Sequence, residues 1–467
     1  MLPFNTKILP EKKGVYVVGG STRDLLLGLK PIDYDLTVSH NPEQFAAKLA
    51  RRSGGRLVRM GKPGKLVYRV VLEPVYFDIT PINGPSIMDD LRSRDFTINA
   101  MAIDVSTGQL LDVTGGRKDL EAKRLRMVSG TAFRNDPIRL LRAYRLAASL
   151  GFAIEPGTVT EIHRQRGAIR TSAGERIRAE LLKIFAAQTS APLIRQMADT
   201  GLLFEIFNEL RPLKACSQNQ HHAYDVFQHT LIAYESLESI LTDSPGNDLN
   251  RWLHDRSENP VEDMALLKCA LLLHDIGKPQ TARKDADGAI HFLGHESAGA
   301  QMAEQICNRL RFSHREREFI TQIITHHTRT LHLFNAHQKQ VLSSKATARF
   351  LTRCGAYTPY LLLHTLADLM GKGPSRKSET AAFSEFARML FKTFKTRYLP
   401  LQSQPPLITG HDLIKVFHLS PSPLFKKLLS AVTEQRLADS TMDRKAALEL
   451  VKHLLNQRES FLDISGD

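Results

Sequence analysis

The strongest constraint on what this chain can fold into lies near its start, in Val15 to Val38, VYVVGGSTRDLLLGLKPIDYDLTV. Val15-Tyr16-Val17-Val18 is a short β-branched and aromatic run, the signature of a buried strand. Gly19-Gly20-Ser21-Thr22-Arg23-Asp24 follows, then the helical Leu25-Leu26-Leu27-Gly28. A strand, a glycine turn and a helix start leave backbone N–H groups free to meet an anion. Gly20 lets the main chain come close to a phosphate, and Arg23 adds a planar fork for phosphate oxygens. Further on stands Asp33-Tyr34-Asp35, inside a second strand that runs on through Leu36-Thr37-Val38. Residues i and i+2 of a strand face the same side, so Asp33 and Asp35 point at one spot. Two carboxylates that close repel unless a cation lies between them, and magnesium is held in this way, by one or two carboxylates together with substrate phosphates.

A tight turn and a solvated strand edge would account for Gly-Gly or Asp-x-Asp alone. Both together on a strand-turn-helix-strand frame describe a triphosphate cradle beside a two-carboxylate magnesium site. The stretch closely resembles the first motif of the class II nucleotidyltransferases of the polymerase-β superfamily, which holds the tRNA CCA-adding enzymes, their CC-adding and A-adding relatives, and bacterial poly(A) polymerases. The resemblance implies Asp33 and Asp35 as catalytic metal ligands, and Gly19, Gly20 and Arg23 as nucleotide-binding residues.

Three further segments extend it. Arg92-Ser93-Arg94-Asp95-Phe96-Thr97-Ile98-Asn99-Ala100 resembles the family's R-R-D-F-T-I-N-A motif, with Ser93 in place of Arg; the resemblance implies that Arg94 contacts the incoming nucleotide. The Asp95 carboxylate can hold an arginine or a ribose hydroxyl. Asp112 to Leu120 matches a segment proposed to act as a hinge; its paired glycines fit a flexible turn and equally a plain loop. Asn135-Asp136-Pro137-Ile138-Arg139 opens a helix, with Asn or Asp as cap and Pro137 in the first turn, and Arg139, Arg142 and Arg145 form one basic stripe along it. This resembles the family's E-D-x-x-R motif, with Asn135 replacing Glu. The resemblance implies that Asp136 and Arg139 read the base edge in place of a nucleic-acid template. A carboxylate accepts from an exocyclic amine and a guanidinium donates to a ring nitrogen or carbonyl, which favours ATP or CTP over UTP or GTP. Arg142 and Arg145 join the nucleotide-binding set. Glu175-Arg176-Ile177, within Ser172 to Leu182, resembles the motif that supports this helix. Asp78, in Tyr76-Phe77-Asp78-Ile79, is either a third carboxylate facing the pair or an ordinary strand residue.

The span from Ile79 to Ser93 is shorter than the loop of CCA- and CC-adding members. A shortened loop resembles the A-adding enzymes, and neither the longer insertion nor the basic tail of poly(A) polymerases is seen.

A second constellation lies between residues 216 and 371, where His221, His222, His229, His274, His291, His295, His326, His327 and His364 crowd together. Leu271 to Lys278 is an apolar helix ending in His-Asp-Ile-Gly-Lys. With His229 before it and Ala367-Asp368 after it, the pattern resembles the H…HD…D of the HD metal-dependent phosphohydrolases, and implies His229, His274, Asp275 and Asp368 as ligands. Gly294-His295-Glu296 and Thr325-His326-His327 resemble the extra ligands of two-metal HD domains; His295 and His326 are the expected donors. Imidazole with carboxylate suits a divalent transition metal better than magnesium alone, and the resemblance implies a phosphodiesterase or phosphatase site. Lys278 is either a phosphate contact or a helix-terminal charge.

Composition agrees with a polyanion partner. The 467 residues carry a net charge of +14, which suits an RNA, while aromatics at 7% argue against a base-stacking sheet and for recognition of a folded RNA by backbone and shape. The four scattered cysteines form no C-x-x-C pair and read as reduced thiols of a cytoplasmic protein. No apolar run reaches the length of a membrane span, and no signal peptide is seen at the N-terminus.

The expected fold is α+β: a polymerase-β-like nucleotidyltransferase head over 1–128 with a small mixed sheet, an all-α neck over 129–215, an HD domain over 216–371 and a helical tail over 372–467. Residues 240–262 read as a polar surface insertion, and Gly410-His411-Asp412 as a helix cap, since no partner ligands follow it. The expected activity is template-independent addition of nucleotide to the tRNA 3′ end, the terminal A from ATP being favoured over full CCA addition or poly(A) synthesis. Rivals of other classes are a phosphohydrolase whose head only binds RNA, and a nucleotide-binding regulator without turnover, against which the Asp33/Asp35 pair argues. Oligomeric state is left open.

Overall fold

Strand β1 (Val15–Val18) is an inner strand of the sheet and delivers the chain straight into α1 (Gly19–Leu26). This is a computed structural model, and it describes residues 4–62, 65–216, 225–242, 248–373 and 376–457. His221 and His222 lie outside the described residues. The chain divides into two units, 1–206 and 207–467.

In the first unit β2 (Asp33–Val38), α2 (Pro42–Ser53), β3 (Arg56–Lys62), β4 (Lys65–Leu72), β5 (Val75–Pro81), α3 (Ile87–Arg92), β6 (Met101–Asp104) and β7 (Leu110–Asp112) follow in turn. They make a seven-stranded mixed sheet in the order β3-β4-β5-β2-β1-β6-β7. Within this sheet, among the described residues, only β2 and β5 pair in parallel, bringing Asp35 level with Asp78, while β4 against β5 brings Arg69 level with Asp78. Alternation along β2 is what exposes the acidic pair: Tyr34 and Leu36 are buried, and Tyr34 stacks on Phe77 with ring centres 5.4 Å apart. Asp33 and Asp35 fall on the other face.

Helices complete the unit: α4 (Gly116–Glu121), α5 (Thr131–Asn135), α6 (Arg139–Leu150), α7 (Pro156–Gln165), α8 (Gly174–Ala186), α9 (Ala191–Asp199) and α10 (Leu202–Ile206). The helix expected to open at Asn135 or Asp136 is broken in two. Asn135 ends α5, Asp136 is extended, and α6 begins at Arg139 without a side-chain cap, because Pro137 disfavours helical geometry in the residue before it. The Gly115-Gly116 turn is tightly closed. The Asp112 carboxylate accepts from the main-chain N–H groups of Thr114, Gly115, Gly116 and Arg117, and a Cβ on Gly116 would come within 2.2 Å of the Thr97 carbonyl oxygen.

The second unit is helical: α11 (Val226–Thr242), α12 (Asp248–Arg256), α13 (Pro260–Leu273), α14 (Lys278–Thr281), α15 (His295–Arg309), α16 (His314–Gln338), α17 (Ser344–Cys354), α18 (Thr358–Gly371), α19 (Lys377–Thr393), α20 (Leu399–Gln402), α21 (Gly410–Phe417), α22 (Pro423–Ala438) and α23 (Arg444–Asn456). The segment expected as a surface insertion carries α12, whose Leu253 is buried and whose Trp252 packs edge-on against Phe391 and Phe394. Asp412 is a capping residue: its carboxylate accepts from the Thr409 N–H at 2.7 Å, and Arg444 pairs with it. Among the described residues no helix is long and apolar enough to cross a membrane.

Candidate active site and metal centre

One hydroxyl sets the geometry of the head. Ser21 in α1 donates to the Asp33 carbonyl at 2.9 Å and accepts from the Asp35 N–H at 2.7 Å, so the glycine bend is pinned to the acidic strand. Thr22 donates to the Val17 carbonyl at 2.7 Å and ties the helix back to β1. Beside this clamp lies a cavity of about 280 Å³ lined by Gly19, Gly20, Asp35, Thr80, Arg94, Asp95, Asn99, Arg139 and Arg142. Gly19 has φ +66°, and a Cβ there would stand 3.1 Å from Asp35 Oδ2 and 3.2 Å from Arg94 Nη1. The glycine thus permits a carboxylate, a guanidinium and free helix N–H groups to converge.

The Asp35 carboxyl is raised to about 6, chiefly by burial and next by the charge of Asp78. A carboxylate destabilised in this way gains most from a cation. Asp33 is exposed at the start of β2. Asp78 shares the face of Asp35 but is committed to Arg69, whose Nε and Nη2 donate to its two oxygens at 2.7 and 2.8 Å.

Arg94 is held by Asp90, a residue not singled out from the sequence. Arg94 Nε and Nη2 donate to Asp90 Oδ2 at 2.9 and 2.7 Å, while Asp90 Oδ1 accepts from the Asn83 N–H at 3.0 Å. The available signal was the i,i+4 spacing. Asp95 takes the arginine alternative: Arg142 Nε lies 3.0 Å from Oδ2. Its Oδ1 accepts from Asn99, and Asn99 in turn accepts from Arg23 Nη1 at 2.8 Å. Ser93, at the departure from the family pattern, offers its carbonyl to Arg139 Nη1 at 3.3 Å.

The basic stripe divides. Arg139 and Arg142 line the cavity, whereas Arg145 turns to Glu180, 2.9 Å from Nε, with both side chains largely covered. Asp136 is gripped by Arg176 of α8, Nη1 to Oδ1 at 3.0 Å and Nη2 to Oδ2 at 2.8 Å. Burial alone would raise the Asp136 carboxyl, but these bonds and the guanidinium charge outweigh it and hold it below the ordinary carboxylate value.

In the helical unit, α11, α13, α15, α16 and α18 bring His229, His274, Asp275, His295, His327 and Asp368 together. Two donor groups form, His229–His274–Asp275 and Asp275–His295–His327, each with its ligand atoms within 4.8 Å of one another. Asp368 Oδ1 lies 2.8 Å from His229 Nε2 and 3.4 Å from His274 Nε2. Nδ1 of His274, His295 and His327 each lies 2.7 Å from the carbonyl oxygen three residues earlier. In the neutral rings of His295 and His327 that bond assigns the proton to Nδ1 and leaves Nε2 as a bare acceptor. Nε2 of His295 and Nε2 of His327 then face each other at 3.2 Å with no proton to share. Buried Asp275 Oδ2 lies 3.2 Å from His274 Nε2 and 2.7 Å from Lys278 Nζ. Acceptors crowded in this way fit divalent cations between them.

Burial disfavours charge throughout this cluster. With the neighbouring His274 it pushes His327 down to about 3. His274 itself goes the other way, since Asp275 and Asp368 outweigh burial and hold it up at about 10.

The structure brings His327, and not His326, into the donor group. One residue along a helix is about 100° of rotation, and His326 Nδ1 accepts from Arg329 Nε at 3.1 Å. Lys278 turns back onto Asp275, Nζ to Oδ2 at 2.7 Å. The glycine of His-Asp-Ile-Gly-Lys has a packing cause: a Cβ on Gly277 would meet the His295 carbonyl oxygen at 2.2 Å.

Comparison with known proteins follows the same division. Family models match over three stretches: the poly A polymerase head domain at residues 15–126, a probable RNA and SrmB-binding site of polymerase A at 151–214, and an HD domain at 226–368. The chain is 33% identical to the A-adding tRNA nucleotidyltransferase of Deinococcus radiodurans over 91% of its own length and 92% of that protein. It is 29% identical to the CC-adding tRNA nucleotidyltransferase of Thermus thermophilus, over 96% and 95%. Among solved structures, a CCA-adding enzyme with ATP superposes with a TM-score of 0.65 at 22% identity, covering 95% of this chain and 90% of that one. The Thermotoga maritima CCA-adding enzyme complexed with tRNA gives 0.62 at 23%, covering 94% and 91%; at such identities the likeness speaks for the fold. With matched architecture along nearly the whole of both chains, this protein belongs to the tRNA nucleotidyltransferase family, as a polymerase head domain followed by an HD domain.

Proposed function

We propose that the head transfers an adenylyl group from ATP to the 3′-terminal hydroxyl of a tRNA that already ends in CC, releasing pyrophosphate. The observation that carries this reading is the convergence of Asp35, the Gly19-Gly20 bend and three guanidinium groups, Arg94, Arg139 and Arg142, on one cavity. The cavity's glycine N–H groups and Arg94 suit a triphosphate. Asp33 and Asp35 would hold magnesium, which when bound neutralises phosphate charge and makes the attacking hydroxyl more acidic. Arg139 and Arg142 would meet base and sugar, Arg142 being fixed by Asp95. Asp136, held by Arg176, supplies a carboxylate for an exocyclic amine. The short stretch between β5 and α3, and likeness to an A-adding relative, support terminal A addition over the CC step.

The test is incubation with tRNA ending in CC, or lacking both cytidines, with each nucleoside triphosphate separately. We expect ATP incorporation into the CC-ending tRNA alone. CTP incorporation into the shorter tRNA overturns the A-only reading. Asp35→Asn should abolish extension, and Asp275→Ala should leave it intact.

The second site supports a second activity, hydrolysis of phosphoesters with a divalent transition metal held by His229, His274, Asp275, His295, His327 and Asp368. The facing bare nitrogens of His295 and His327 favour this reading. A panel of phosphomono- and diesters with Mn2+, Co2+ or Ni2+ tests it: turnover should vanish in Asp275→Ala and persist in Asp35→Asn.

A further inference from the structure

His364 stands one helical turn before Asp368 on α18, with no exposed surface, next to the buried Leu361, Leu362 and Leu363. Neither of its ring nitrogens has a hydrogen-bond partner among the described residues. Its ring centre lies 5.0 Å from that of His274 and 5.5 Å from that of His327, and those two are 5.2 Å apart. His274 and His327 are anchored through Nδ1 to main-chain carbonyls; His364 has no such anchor.

An imidazole sealed in a protein interior with two idle nitrogens is strongly disfavoured, and such a group calls for a partner that is not a protein atom. Leucine would fill the same space among its leucine neighbours without that penalty. Three imidazoles bound to one tetrahedral ion at about 2 Å per nitrogen hold their ring centres roughly 5 Å apart. The His274–His327–His364 triangle has that spacing.

We propose that His364 is a further ligand of the helical unit's metal centre, turning a ring nitrogen about its Cβ–Cγ bond toward the donor groups to which His274 and His327 belong. The proposal rests on reading this cluster as a metal centre. The two donor groups close without His364, so its contribution is selectivity: an added imidazole favours Co2+, Ni2+ or Zn2+ over Mg2+.

The experiment compares full-length wild type, His364→Leu and His364→Gln, each stripped with chelator and titrated with Co2+. Metal per chain, the visible Co2+ absorption spectrum and Tm with and without metal are read. The metal-free Leu variant should melt at or above wild type, because the orphaned nitrogens are gone. Its Co2+-induced rise in Tm should shrink, Co2+ affinity should fall at least tenfold, and the absorption bands should change. The Gln variant should weaken Co2+ binding in the same direction and carries the comparison if the Leu variant does not fold. Equal affinity and an identical spectrum in wild type and variants overturn the assignment of His364 while leaving the metal centre standing. A wild type that takes up neither Co2+, Ni2+, Zn2+ nor Mn2+ overturns the metal centre and the His364 proposal together.

Discussion

Arg176 grips Asp136 through two parallel hydrogen bonds, Nη1 to Oδ1 at 3.0 Å and Nη2 to Oδ2 at 2.8 Å. The carboxylate we propose as the reader of a base amine is therefore oriented by a helix that begins almost forty residues later in the chain. Arg176→Ala frees Asp136 to swing. A bidentate charge-assisted pair contributes about 1.5–3 kcal/mol, so discrimination of ATP against UTP and GTP should fall roughly tenfold to hundredfold. Arg176→Lys keeps the charge without the fork and should recover only part of it. Relative kcat/KM for the four nucleotides checks this.

Asp90 holds Arg94, the guanidinium we propose as a phosphate contact. Asp90→Asn leaves an acceptor of the same shape but removes the charge that fixes the guanidinium. We expect kcat/KM for ATP to fall on the order of tenfold, carried mainly by KM, while HD-site phosphoesterase turnover is unchanged. Unchanged ATP kinetics would show that Arg94 needs no such support.

Gly19→Ala tests the convergence at the bend. The left-handed backbone at φ +66° costs an alanine about 1–2 kcal/mol, and its Cβ would press on Asp35 and Arg94. Thermal unfolding should show the modest loss, whereas nucleotide transfer should fall by more than tenfold. A variant with full activity would mean that Asp35 and Arg94 do not work at these positions.

Asp119 gives the head an acid-sensitive lock. Its buried carboxylate accepts from Thr97 at 2.7 Å and pairs with Arg124 and Arg126. Burial alone would raise its pKa, but these partners outweigh it and depress it below the ordinary value. A carboxylate depressed in the folded state stabilises above its unfolded pKa, about 4, and that stability is lost as pH falls through the lower folded value. Asp119→Asn should cost on the order of 2 kcal/mol at neutral pH and flatten the acid limb of the stability profile below about pH 4. Denaturant melts across that range measure both effects.

His326 and His327 are neighbours with opposite fates. His327→Ala should weaken Co2+ or Ni2+ binding more than tenfold, because it removes a member of the donor group. His326→Ala should leave metal content unchanged, its ring being engaged with Arg329. Metal analysis of the two purified variants decides the matter, and the reverse result would restore His326 as the ligand.

Much of the head was legible because its motifs are short and local. Strand alternation alone places Asp33 and Asp35 on the face opposite Tyr34, and the glycine bend follows directly from β1. The HD cluster was legible as a set of residue types. The basic stripe of α6 was legible only as a spacing: the three-residue repeat put Arg139, Arg142 and Arg145 on one side, but Glu180 on α8 takes Arg145 away. The segment 240–262 was legible as polar surface, but not the helix it carries, whose Leu253 is buried and whose Trp252 packs on Phe391 and Phe394.

By itself the sequence determined the chemistry on offer: two carboxylates one strand step apart, a phosphate-ready bend, and enough histidines and aspartates to hold metal. Periodicity and residue type are properties of a few consecutive positions, so they survive in one dimension. The tertiary structure alone decided which groups are spent on each other. It commits Asp78 to Arg69, lends Arg94 to Asp90 and Asp136 to Arg176, admits His327 in place of His326, and leaves His364 with idle nitrogens. Each outcome depends on an ion pair, a helix rotation or a burial set by residues distant in the chain, and a hydrogen bond has strength only within about 3 Å.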